Sequence, residues 1–220
     1  MLELNQLYNI DCMEGMKAFP DNYFDLAIVD PPYGIGDWTS DLSVYTLKDG
    51  SKKRVKRNNH KKITWNNNIP NGKYFDELLR VSKHQITWGA NYYNCFSLSG
   101  GAIIWYKGKC NPVYSACEIA SISSQKKVDY VQIDWQSGFC RQQKENVIHK
   151  CQKPIQLYKW ILNNYAKPDF KIIDTHAGSC SSVIAFLDYD CDWIAFEIDK
   201  DYYEAASKRI EIHKQQLKLF

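Results

Sequence analysis

The sequence predicts an α/β fold on a doubly wound, mainly parallel sheet with an antiparallel edge strand. Three observations carry that prediction. Short apolar runs alternate along the chain with longer segments of helical periodicity, the pattern of a sheet covered by helices on both faces. The runs "FDLAIVD", "KIID" and "DWIAFEI" are apolar at consecutive positions, as strands buried on both faces must be. "ASISS" and "DYVQIDW" alternate instead, in the manner of an antiparallel edge pair.

Taken in order, the first strand is expected in "LELNQLYNI". Asp11 then caps a helix over "DCMEGMKAF", with Glu14 three residues on. "FDLAIVD" is the second strand. "GKYFDELLRVSK" forms an amphipathic helix with Phe75, Leu78, Leu79 and Ser82 on one side. "HQITWGANYY" and "GAIIWYK" follow as strands. "KPIQLYKWILNNYAK" is the clearest helix, its stripe formed by Ile155, Tyr158, Ile161, Leu162 and Tyr165. Strand "KIID", a short helix near "SSVIAFL", strand "DWIAFEI" and a helix from Asp201 complete the chain, with Glu204 and Lys208 as i,i+4 partners in the last.

A chain of 220 residues fits a single domain spanning 1–220. Stretches 34–66 and 107–150 are too weakly patterned and too long for ordinary connections, which makes them candidates for function. No run approaches the ~20 apolar residues of a membrane span, and no membrane partner is expected. The N-terminus lacks a basic segment followed by an apolar one, so the expected location is the cytoplasm. None of the eight cysteines forms C-x-x-C or a Cys/His cluster at zinc spacing, so no metal is expected. Charge is unevenly spread. Residues 48–62, "KDGSKKRVKRNNHKK", carry +7 and leave −4 for the remainder of a chain whose total is +3. Such a stretch attracts polyanions unless it is merely a solvated loop.

Two motifs carry the chemistry. In "DPPYGIGDW", neither Pro31 nor Pro32 can donate to a ladder, so the strand stops and leaves Asp30 at its end with Tyr33 beyond. In "IIDTHAGSCSS", Asp174 ends a strand and Gly178 supplies a permissive turn before a helix; twenty-three residues after Asp174, Glu197 ends the next strand. A glycine turn followed by an acidic strand end ~20 residues on grips a nucleoside through its ribose hydroxyls. With one glycine rather than the three of G-x-G-x-x-G, the turn suits a nucleoside without phosphates better than a dinucleotide.

Together these stretches resemble the S-adenosylmethionine-dependent amino-methyltransferases of DNA. Asp30-Pro31-Pro32-Tyr33 matches the family's catalytic [D/N/S]-P-P-[Y/F]. Asp174, Gly178 and Ser179 match its cofactor turn, Glu197 the ribose-binding acid, Asp11 the acid near the cofactor's adenine, and Lys153-Pro154 the pair opening a helix before that turn. The resemblance implies a Rossmann-like methyltransferase fold, circularly permuted in the beta-type order because the catalytic tetrapeptide precedes the cofactor turn. It also assigns Cys12, Asp30, Lys153 and His176 to the cofactor's surroundings. His176 stands where the family has Phe, altering the surface against the methionine arm, and Cys180 replaces the last glycine of the turn.

The implied reaction is site-specific transfer of a methyl group to adenine N6 in a flipped-out DNA base, the chemistry of restriction–modification. Asp30 and the Pro31 carbonyl would accept hydrogen bonds from the amino group, and Tyr33 would stack on the base. Lys52, Lys53, Arg54, Lys56, Arg57, Lys61 and Lys62 are expected on DNA phosphates, with Asn58, Asn59 and His60 or residues 107–150 reading bases. A homodimer is a candidate assembly. The leading Asp favours adenine; cytosine N4, an RNA adenine, a protein amide, or nucleic-acid binding without turnover remain the alternatives.

Overall fold

The computed structural model describes residues 1–37, 42–46, 49–56, 63–93, 100–108, 115–135 and 145–217, with backbone alone at 42–46, 53–56 and 217. These fall into two units, Met1–Pro31 with Pro70–Phe220, and Pro32–Ile69.

In the larger unit, strands β1 (Gln6–Tyr8) and β2 (Phe24–Val29) flank helix α1 (Cys12–Lys17). In the smaller unit lie β3 (Leu42–Thr46) and β4 (Lys52–Lys56). The larger unit continues with α2 (Gly72–Val81), β5 (Ser82–Trp88), α3 (Ala90–Tyr93), β6 (Gly101–Tyr106), β7 (Cys117–Ile122) and β8 (Val128–Gln132). It closes with α4 (Ile155–Tyr165), β9 (Lys171–Asp174), α5 (Ser181–Tyr189), β10 (Asp192–Phe196) and α6 (Lys200–Leu217). Its eight-stranded sheet has the order β1-β10-β9-β2-β5-β7-β6-β8. Neighbours from β1 to β5 are parallel, as are β6 and β8; β7 alone runs against the rest.

β1 therefore pairs with β10 although they lie at opposite ends of the chain, with Leu7 opposite Ala195. The permuted order keeps the sheet that right-handed crossovers require, without a covalent link from α6 to β1. The two alternating segments do not pair with each other. β6 lies between them, so the antiparallel strand β7 is third from the edge and β8 takes the edge. The burial patterns explain the exchange: β6 is mostly buried and needs a neighbour on both sides, whereas β8 has exposed positions suited to a rim.

Alternation along the central strands builds two cores. Ile172, Trp193 and Ala195 pack with Leu157, Ile161, Phe186 and Ile210 of α4, α5 and α6. Ile173, Ile194 and Phe196 pack with Met16, Tyr74, Leu78 and Val81 of α1 and α2. Each fully buried large apolar side chain contributes about 1.5–3 kcal/mol relative to exposure. The buried face of α2 is Tyr74, Leu78 and Val81, an i, i+4, i+7 stripe; Leu79, expected on that side, is 58% exposed. In α4 the buried residues are Leu157, Tyr158, Ile161 and Leu162.

In the smaller unit, β3 and β4 pair antiparallel from Leu42 opposite Lys56 to Thr46 opposite Lys52. The basic stretch is therefore partly a β-ribbon. Buried Asn66 ties the unit's ends together: its Oδ1 accepts from the Tyr33 amide at 2.9 Å and its Nδ2 donates to the Gly36 carbonyl at 3.0 Å. Arg57, Asn58, Asn59, His60, Lys61 and Lys62 lie outside the described residues.

Gly15 sets how closely α1 approaches the sheet. A Cβ there would lie 2.5 Å from the fully buried ring of Phe196. Gly15→Ala gains about 1 kcal/mol of helix propensity but overpacks a core, which costs about 1–3 kcal/mol. The net expectation is a Tm lower by a few degrees in thermal denaturation. An unchanged or higher Tm would show that the ring yields without cost.

Candidate active site

β2 ends where the prolines begin. Its last paired residue is Val29, opposite Thr87, and Asp30 follows directly. The Pro31 carbonyl accepts a hydrogen bond from the Tyr93 hydroxyl, presented by α3. Pro32 and Tyr33 belong to the smaller unit.

Because β1, β10, β9 and β2 are adjacent and parallel, the residues that follow their carboxyl ends share one edge: Asp11, Glu197, Asp174 and Asp30. Ligands of open α/β sheets bind at such an edge. Asp11 is exposed and caps α1, accepting from the Met13 amide at 2.7 Å. The Cys12 thiol beside it is pushed up to about 12 by burial and by Asp11, so it stays protonated at neutral pH.

Glu197 holds the turn after β9. Its Oε2 accepts from the Gly178 amide and its Oε1 from the Asp199 amide, each at 2.8 Å. Burial nevertheless raises its pKa. Asp174 is buried, accepting from the His176 amide at 3.0 Å and the Ser182 hydroxyl at 2.5 Å. Burial outweighs these donors and raises it to about 7. His176 is pushed down to about 4 by burial and is neutral at pH 7. Its Nδ1 lies 2.9 Å from the Thr175 hydroxyl, which lies 2.7 Å from the Tyr74 hydroxyl. The ring thus belongs to a neutral hydrogen-bonded chain.

The turn is tight. Gly178 has φ +51°, and a Cβ there would stand 3.4 Å from the His149 ring. Cys180 has φ 58°, a left-handed conformation that glycine adopts at no steric cost and that costs an L-residue about 1–2 kcal/mol. Arg209 of α6 holds the turn from below, donating to the Ser179 carbonyl at 2.8 Å and the Ser181 hydroxyl at 3.0 Å. Arg209 also pairs with Glu145 at 3.0 Å, and Glu145 accepts from the Ile155 amide at the start of α4, also at 3.0 Å. His149 packs edge-on against Tyr202, ring centroids 4.3 Å apart.

Lys153, assigned by resemblance to the cofactor side, places its ammonium between two carboxylates. It pairs with Asp30 and, at 3.1 Å, with Glu118 of β7. Glu118 pairs in turn with Lys107 at 2.5 Å. Burial would lower Lys153, but the two acids hold it up at about 12; burial would raise Glu118, but Lys153 and Lys107 hold it down at about 2. Sequence reading misses Glu118, Lys107, Tyr93, His149, Glu145 and Arg209. No local motif marks them, and only the sheet order brings them to this edge. Lys52, Lys53, Arg54 and Lys56 form β4 of the other unit. Among the described residues no group of three or more His, Cys, Asp or Glu could hold a metal, and no helix is long and apolar enough to cross a membrane.

A mostly parallel sheet with carboxylates on adjacent strand ends, one of them leading Pro-Pro-Tyr, defines a nucleoside-binding transferase architecture. The chain belongs to the DNA methylase family, whose model matches residues 46–208. It is similar to the Escherichia coli (strain K12) protein YubD, described as a methylase, at 23% identity over 91% of this chain and 87% of that one. Among solved structures it is similar to the PvuII DNA methyltransferase (cytosine-N4-specific), with a TM-score of 0.62 at 13% identity, covering 95% of this chain and 87% of that one. It is also similar to M1.HpyAVI in its complex with SAM, with a TM-score of 0.56 at 17% identity, covering 93% and 98%. The permuted methyltransferase fold is shared with both.

The carboxylate of Asp174 generates a stability prediction. Its pKa is raised from an unfolded value near 3.8 to about 7, so between those values the folded chain holds a proton that the unfolded chain has lost. This contribution favours folding less as pH rises from 4 to 7 and is fully unfavourable above 7. Asp174→Asn should therefore gain stability over the unmodified chain at pH 8, on the order of 2–4 kcal/mol, and lose that advantage at pH 4. Urea denaturation at both pH values checks it; a pH-independent difference would refute the buried ionisation.

Proposed function

We propose that this chain is a site-specific DNA methyltransferase that uses S-adenosylmethionine to methylate adenine at N6. The observation that carries the reading is the adjacency of β10, β9 and β2, which puts Glu197, Asp174 and Asp30 along one sheet edge. The residues suit that cofactor. Glu197 is oriented by two backbone donors and has acceptor capacity for vicinal ribose hydroxyls. Asp174 is a buried carboxylate held by neutral donors only, and a cationic ligand would offset the cost of its ionisation. Asp11 and Cys12 would flank the adenine ring, and Gly178, Ser179 and His176 the methionine arm. S-adenosylmethionine, when bound, supplies a methyl group already activated on sulfur.

The chain's own task is to hold the nucleophile. An exocyclic amine is a weak nucleophile because its lone pair is delocalised into the ring. Asp30 and the Pro31 carbonyl accept hydrogen bonds from it, localise that lone pair and stabilise the positive charge that grows on nitrogen. Tyr93, bonded to the same carbonyl, fixes its direction. Tyr33 stacks on the flipped base. The basic ribbon of β3 and β4, with Arg57, Lys61 and Lys62 beyond it, supplies phosphate contacts; a two-stranded ribbon has the width of a major groove. Cytosine N4 is the second reading, favoured by similarity to a cytosine-N4-specific enzyme.

Incubation with unmethylated DNA and labelled cofactor, followed by nucleoside mass spectrometry, tests both readings. N6-methyladenine is expected, N4-methylcytosine would select the second, and no incorporation would remove both. Asp30→Ala should lower transfer by about a thousandfold while cofactor affinity stays within a few-fold. Glu197→Ala should weaken cofactor binding in calorimetry. Replacing Lys52, Lys53, Arg54, Lys56 and Arg57 with Ser should flatten the salt dependence of DNA binding, whose logarithmic slope is about −0.9 per phosphate contact. An unchanged slope would return the ribbon to a solvated face.

A further inference from the structure

A hydrogen-bond acceptor acts through the negative charge it directs at the reacting amine, and a lysine on the same carboxylate withdraws part of that charge. Lys153 is such a lysine. Its side chain is only 4% exposed, it pairs with Asp30, and its ammonium lies 5.5 Å from the centre of the Trp88 ring. Left with Asp30 alone, it would neutralise the acceptor. Lys153 also offsets the Asp30 charge, which favours protonation of Asp174. Glu118 resolves the conflict by geometry. It reaches Lys153 at 3.1 Å, and on its other side it pairs with Lys107 at 2.5 Å. Asp30, Lys153, Glu118 and Lys107 thus form a row of alternating charge in which the Lys153 ammonium is divided between two carboxylates.

We propose that Glu118 is a positioning residue for methyl transfer: it shares the Lys153 ammonium with Asp30, so that Lys153 orients the acceptor carboxylate without cancelling its charge. The proposal rests on Asp30 as the acceptor. Its place in the fold is specific. β7 is the one reversed strand, so its beginning, not its end, arrives at the edge where β2 stops. Glu118 is opposite Trp105 in that register, one residue from the β6 terminus.

Glu118→Gln keeps the size and removes the charge. The expected result is a fall in kcat of at least about tenfold with affinities for S-adenosylmethionine and DNA within twofold, since the loss is confined to the transition state. Glu118→Asp should recover most of the rate. In a Lys153→Met background Glu118→Gln should have no further effect, because there is no ammonium left to share. As a measurement that does not depend on that background, the Lys153 side-chain NMR signal should titrate at lower pH in Glu118→Gln than in the unmodified chain. Unchanged kcat, an equal loss in both backgrounds, an unmoved Lys153 titration, or a parallel loss of cofactor affinity would each overturn the proposal. A wild-type chain that transfers no methyl group would instead remove the functional reading, and with it this inference.

Discussion

A carboxylate at the end of a buried strand must find a cation, a set of donors or a proton, and this chain places three of them on adjacent strands. Each is accommodated differently. Asp30 takes a buried ammonium, Glu197 takes two backbone amides, and Asp174 takes an amide and a hydroxyl and is left with a raised pKa. Much of the surrounding structure follows. The lysine brings the segment before α4 across the sheet edge, the amides shape the turn after β9, and the hydroxyl comes from the first turn of α5. Removing one partner of a buried ion pair costs more than the pair contributes, which is why the lysine and Asp30 go together.

The permuted order makes those accommodations depend on both ends of the chain. The turn after β9 is held by Arg209, midway along α6, and α1 is held against Phe196 through Gly15. β1 completes the sheet beside β10. α6 is fastened to the turn after β9, and β1 to β10.

Local chemistry was legible where a residue acts through its neighbours in sequence. The two prolines after Asp30, the glycine turn after Asp174 and the stripe of α4 all announce their structures, because strand termination, turn geometry and helical periodicity are short-range effects. Glu118 was not legible. It lies in an alternating strand like any other, and its importance appears only when a reversed strand delivers it to a lysine far along the chain. The exchange of β6 and β8 positions was hidden for the same reason, since edge and interior are properties of a sheet rather than of a strand. Leu79 misled because its helix could be rotated slightly and still keep an apolar face.

The reversal of β7 also decides at which edge its connections turn. β6 leaves the sheet at the carboxyl edge and β7 returns there, β8 leaves by the same edge toward α4, and β2 does so toward the smaller unit. The short connection from β7 to β8 alone turns at the opposite rim among these. The connections that leave β2, β6 and β8 therefore begin at the edge where Asp30 stands. A connection lengthened or shortened where it leaves that edge keeps the strand pairing, and the two cores beside the sheet, as they are.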